Sequence, residues 1–172
     1  IKGLTHLLKA MTLLRKEMDL KLTIIGGPPG GKYSPELVRE YGLEDSVTFT
    51  GRISHEELVK QYGGSQVAVV PSLYEGFGFP AGEAMACGVP VVSSSAGALP
   101  EVVGPDGEAG LLVPPGDAVS MAAALKRLMG DEDLRRRMGM AARRRVETHF
   151  SWEQAARKTV AVYEELIADA HH

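Results

Sequence analysis

The stretch VAVVPSLYEGFGFPAGEAMACGVPVV, residues 67–92, decides the fold. An apolar run, QVAVVPS, ends at Pro71 and reads as a buried strand. A loop with Gly76 and Gly78 follows, and Pro80 opens a helix through AGEAMACG. The next apolar run, VPVVSSS, is again a strand. Both strands are apolar on two faces, as parallel strands covered by helices must be.

The same alternation extends outward. Upstream, SVTFTG (46–51) and KLTIIGG (21–27) read as buried strands. Leu4, Leu7, Leu8, Met11 and Leu14 fall at helical spacing. Ser34 and Pro35 form a helix start, for a helix running to about Gly42. Ser54 and Glu57 make a capping box for a helix ending near Gly63 and Gly64. Downstream, LPEVVG is a short helical turn and GLLVPPGD a strand and turn. Asp117 caps a helix to about Gly130, and Asp131 caps the next. Ser151 and Gln154 make a second capping box for a C-terminal helix through Ala170. The expectation is one doubly wound α/β domain over residues 1–172, a Rossmann-like parallel sheet with helices on both faces. Such sheets bind ligands outside the carboxyl ends of their strands.

Composition narrows the function. The 172 residues are 44% hydrophobic, enough for a packed core, and a net charge of −3 gives no general attraction to nucleic acid. The single cysteine, Cys87, excludes an intrachain disulfide and a cysteine metal cluster, and reads as a small packing residue. His6, His55 and His149 are isolated, without metal-ligand spacing. No apolar run reaches the ~18 residues of a membrane span, and no stretch reads as a secretory leader. The chain opens inside a helical pattern and reads as a piece of a longer protein, with His171 and His172 assigned no role.

Two glycine-rich loops compete for a phosphate site. IIGGPPGGKYSPE (24–36) places Gly26, Gly31 and Lys32 at P-loop spacing, but Tyr33 stands where Ser or Thr should hold magnesium. The loop around Gly76 and Gly78 is better suited. Glycines let backbone N–H groups approach an anion, and a helix N-terminus adds unpaired donors with partial positive charge. Glu75 and Glu83 bracket that loop. They would repel phosphates, so they make sense facing hydroxyls. A carboxylate accepts two hydrogen bonds from a vicinal diol, and a second one can face a sugar. Neither loop gives the G-x-G-x-x-G pattern of a dehydrogenase.

EGFGFPAGE carries an E-x7-E pattern and resembles the retaining glycosyltransferases of the GT-B fold, in particular glycosyltransferase family 4, or group 1. VTFTGRIS, the long central stretch, GLLVPPGD and HFSW look like that family's landmarks in order, so the resemblance covers nearly the whole chain. It implies the C-terminal, donor-binding half of a two-domain enzyme, whose own N-terminal Rossmann-like domain would supply acceptor contacts. The donor would be a nucleoside-diphosphate sugar, with no cofactor and no metal. Glu83 would bind the ribose hydroxyls and Glu75 would lie by the donor sugar. The amides of Gly76, Phe77, Gly78 and Phe79 would lie by the sugar and diphosphate. Lys2 would contact the diphosphate, and Arg52 and Ile53 would line the base. A solvated lysine and a surface arginine are the plain alternatives for Lys2 and Arg52.

The family's strand before Lys2, central in its sheet and bearing an arginine, has no counterpart here, so both neighbouring strands should have exposed edges. The fragment by itself is expected to be inactive. The alternative is a non-catalytic sugar-nucleotide-binding or regulatory module. RRRMGMAARRR (135–145) reads as a solvated basic face or as peripheral contact with an anionic membrane, in an otherwise cytoplasmic protein. The last helix is expected to cap the sheet's flank or to pack back toward the N-terminal half. Under this resemblance the 24–36 loop becomes a wall of the donor cleft.

Overall fold

The computed structural model describes residues 2–27 and 35–169. The expected cap at Ser34 and the helix end at Ala170 lie outside the described residues, as do Gly31, Lys32 and Tyr33.

Local sequence accounts for most elements. Helix α1 (Leu4–Leu14) buries Leu4, Leu7, Leu8, Met11 and Leu14 along one stripe, as their spacing requires. In α3 (His55–Gly63) the Ser54 hydroxyl accepts from the Glu57 N–H at 3.1 Å. Asp117 caps α6 (Ala118–Gly130) by accepting from the N–H groups of Val119 and Ser120, both at 3.0 Å. Asp131 caps α7 (Glu132–His149) through the Leu134 N–H at 2.8 Å. Ser151 does the same for α8 (Trp152–Asp169), accepting from Gln154. Helices α2 (Pro35–Glu40), α4 (Phe79–Ala86) and α5 (Leu99–Val103) complete the set among the described residues.

All strand pairs are parallel. β3 (Ala68–Val70), β4 (Val91–Ser94) and β5 (Gly110–Val113) form one sheet, with Val70 opposite Ser93 and Ser93 opposite Leu112. β1 (Leu22–Ile25) and β2 (Val47–Gly51) form another, with Leu22 opposite Val47 and Ile24 opposite Phe49. Alternate residues of β4 serve two cores. Val92 joins the layer of α1 and α6 with Leu8, Met121 and Leu128. Val91 joins the layer of α4, α5 and α7 with Met85, Leu99 and Ala142.

The parallel, two-faced architecture agrees with expectation, and the split between β1 and β3 matches the exposed edges expected without a central strand. A cavity of about 890 Å³ runs between the two strands, walled by Leu22 and Ile24 on one side and Val67 and Val69 on the other. The expectation of burial on both faces fails for β1, which alternates half-buried and exposed residues, and for β2, which has no buried residue. The composition of β1 is apolar enough, but among the described residues it has no strand neighbour on its second edge.

Two further expectations are corrected. α8 has no buried residue and leaves Trp152 92% exposed, so it does not cap the sheet's flank. The arginines of 135–145 are not one solvated face. Arg135 donates to the carbonyls of Leu128 and Met129 at the end of α6, at 2.7 and 2.8 Å. Arg145 donates to the Val102 and Glu101 carbonyls at the end of α5, at 2.9 and 2.8 Å. Both stabilise the negative ends of helices. Arg136 and Arg143 pair with Asp133 and Glu147 on their own helix.

Candidate functional site

The site forms where β3 ends. Beyond Val70 and Pro71 the chain turns through Ser72, which is fully buried. The Ser72 hydroxyl donates to Glu75 Oε2 at 3.1 Å, and its carbonyl accepts from the Ser94 hydroxyl at the end of β4. Lys2 Nζ donates to the same Glu75 oxygen at 2.9 Å. That contact needs α1 to start very close to β3. Gly3 makes this possible: it has φ +70°, and a Cβ there would fall 1.7 Å from the Pro71 carbonyl oxygen. The backbone of Glu75 is fixed too, since its carbonyl accepts from the Ala98 N–H at 3.1 Å. Gly97 permits that approach, because a Cβ on it would lie 2.2 Å from the Glu75 oxygen.

Glu75 is therefore held as a carboxylate. The Lys2 hydrogen bond is the main cause that keeps its carboxyl below the ordinary range, with Ser72 and the Gly76 N–H adding and burial opposing. Its side chain is 14% exposed against 60% for Lys2, so the ammonium remains open to solvent while the carboxylate is largely enclosed.

The second carboxylate is set by α4. Gly78 caps that helix in a left-handed conformation and Pro80 follows in the first turn. Glu83 lies farther along the same helix, half-buried. Its Oε2 accepts from the Tyr62 hydroxyl at 3.3 Å, and the same hydroxyl lies 3.3 Å from the Pro80 carbonyl. Burial, with Glu83 adding, raises the Tyr62 phenol far above its ordinary range, so it stays protonated and a donor. Burial also raises the Cys87 thiol, in keeping with a packing role. The loop before α4 carries aromatic rings. Phe77 lies 4.6 Å from Phe79 and meets Phe150 edge-on at 6.1 Å, which ties the loop to the α7–α8 junction.

Lys2, Glu75 and Glu83 line one cavity, the one that separates β1 from β3, and Gly26 and Gly27 form part of its far wall. Of the first glycine loop, Ile24, Ile25, Gly26 and Gly27 line this cavity. Gly76, Phe77, Gly78 and Phe79 border the site on the loop between the two acids, outside the cavity lining. Arg52 and Ile53 follow β2 and are also outside the lining. Sequence reasoning missed Ser72 and Tyr62. Ser72 directly follows a buried strand and could have been found by its position. Tyr62 is 21 residues from Glu83, and no local pattern links them. Among the described residues no group of three or more His, Cys, Asp or Glu could hold a metal ion.

The arrangement pairs a solvent-facing ammonium and a helix N-terminus with two carboxylates, at the carboxyl ends of parallel strands. It can hold an anion and adjacent hydroxyl groups together. Comparison with known proteins points the same way. Residues 1–145 match the family described as glycosyl transferases group 1. An MMP alpha-(1->4)-mannosyltransferase of Mycolicibacterium hassiacum is 46% identical over 168 residues, 98% of this chain and 41% of that protein. The structure of a sucrose-phosphate synthase from Thermosynechococcus elongatus superposes with a TM-score of 0.83 at 40% identity, covering 98% of this chain and 43% of that one. The C-terminal domain of a glycosyl transferase group 1 family protein from Francisella tularensis gives a TM-score of 0.77 at 32% identity, over 88% of this chain and 80% of that one. The chain spans about two fifths of the length of the curated relatives it matches.

Proposed function

The chain belongs to the glycosyl transferases of group 1, and from that premise we propose that it is the donor-binding half of a retaining transferase. The whole protein moves a sugar from a nucleoside-diphosphate sugar to an acceptor hydroxyl. The observation that carries this reading is that Lys2, Glu75 and Glu83 line one cavity, with Lys2 and Glu75 paired just beyond the carboxyl end of β3.

Each residue has a role in the proposal. Glu83 accepts hydrogen bonds from the two ribose hydroxyls. Lys2 and the amides of Gly76 to Phe79 hold the diphosphate, assisted by the positive end of α4. Glu75 faces the donor sugar. Lys2 is now paired with Glu75, so a bound diphosphate would draw the exposed ammonium across and leave the carboxylate to the sugar. Arg52 and Ile53 take the base from the end of β2. The acceptor oxygen attacks the anomeric carbon as the bond to the diphosphate oxygen breaks, and the acceptor proton passes to that oxygen on the same face. Lys2 and the loop amides stabilise the charge that develops on the leaving group. No metal is invoked, because these groups supply the positive charge.

Acceptor contacts come from the protein's own N-terminal domain, so the 172-residue chain alone does not turn over. No helix among the described residues is long and apolar enough to cross a membrane. A cytoplasmic enzyme with peripheral membrane contact through the exposed Arg137 and Arg144 completes the reading.

Calorimetry of the full-length protein with UDP, GDP and ADP tests it. One of them binds, and Glu83→Ala weakens that binding by about tenfold or more, since hydrogen bonds to a charged group are lost. Unchanged affinity removes Glu83 from the ribose.

A further inference from the structure

The donor-site reading leaves open what aims the Glu83 carboxylate, and the following rests on that reading. We propose that Tyr62 is a positioning residue, whose hydroxyl orients Glu83 toward the vicinal diol of the bound nucleotide. A glutamate has several rotatable bonds, and half-buried on α4 it could turn toward solvent as easily as toward the cavity. Among the described residues, Tyr62 is the side chain that donates a hydrogen bond to it. Tyr62 suits the task. It closes α3, its ring packs against the core cluster of Ala81, Ala84 and Met85, and it has only two side-chain torsions.

The position of the hydroxyl supports this. It lies 3.3 Å from both Glu83 Oε2 and the Pro80 carbonyl, which compete for its one proton, and the charged carboxylate is the stronger acceptor. Each carboxylate oxygen accepts two hydrogen bonds. The Tyr62 bond therefore leaves Oε1 and the second lone pair of Oε2 for two neighbouring hydroxyls. Tyr62 and Glu83 line the same cavity. The phenol, being neutral, adds no charge to the diphosphate site.

The test uses the full-length protein, the diphosphate among UDP, GDP and ADP that binds best, and its 2′,3′-dideoxy form. Tyr62→Phe keeps the ring and removes one oxygen. The wild type prefers the ribo form. Tyr62→Phe weakens the ribo form about three- to tenfold and leaves the dideoxy form unchanged. In a Glu83→Ala background, Tyr62→Phe has no further effect on either, a readout that separates positioning from general packing. Equal weakening of both forms, or an effect that persists without Glu83, overturns the positioning role while the donor site stands. A wild type that binds none of the three diphosphates, or that ignores the missing hydroxyls, overturns the donor-site reading itself. Should Tyr62→Phe not fold, Tyr62→His, which retains a ring donor, replaces it. It is expected to keep the ribo preference, because its ring N–H can still donate to Glu83, and loss of that preference overturns the positioning role.

Discussion

β1 and β4 invert what their compositions suggest. β1 is LTII and β4 is VVSS, so β1 is the more apolar. Yet every residue of β4 is buried, while β1 alternates half-buried and exposed positions. The difference is in their neighbours. β4 has a strand on each side and a helical layer on each face, and its two serines are satisfied by backbone carbonyls within that enclosure. Among the described residues β1 has one strand neighbour, β2, and a cavity on its other side. In a parallel sheet, burial is conferred by what surrounds a strand.

The closed half should be the fragile one to alter. Gly97→Val presses a branched side chain onto the Glu75 carbonyl at a positive φ, and is expected to cost about 4 kcal/mol or more. Urea unfolding measures it, and a loss near zero would show that this loop can yield. The next comparison sets one residue from each half side by side. Met85→Ala empties a fully buried position and should cost about 2–5 kcal/mol. Ile25→Ala, at a position 36% exposed, should cost less than about 1 kcal/mol. Similar losses at the two sites would erase the distinction between the halves.

The smallest effect concerns Glu75, whose carboxyl is lowered from its ordinary value of 4.5. A carboxyl with a lowered folded-state pKa stabilises the fold above its unfolded value, and that stability is lost as pH falls through the folded value. The stability difference between wild type and Glu75→Gln should therefore be constant at neutral pH and shrink below about pH 4.5. A difference that grows on acidification would contradict the ion pair with Lys2.

Much of this was legible in the sequence because it was local. The caps at Ser54, Asp117, Asp131 and Ser151 act on N–H groups two or three residues away, and the α1 stripe is a repeat. Glu75 and Glu83 were found because one short loop and helix carry both. What sequence could not show depends on packing between distant segments. Tyr62 meets Glu83 only because α3 ends beside α4. Arg135 and Arg145 look like surface charge until the ends of α6 and α5 are placed next to them. The open edge of β1 was expected from the missing central strand, but the exposure of its faces was not, because its own residues are apolar.

The split sheet has a consequence for what the chain can receive. Among the described residues, β1 and β3 each present a ladder of backbone groups to the cavity without a strand to receive it. An open ladder does not discriminate: any extended segment that offers N–H and C=O groups at strand spacing can join it.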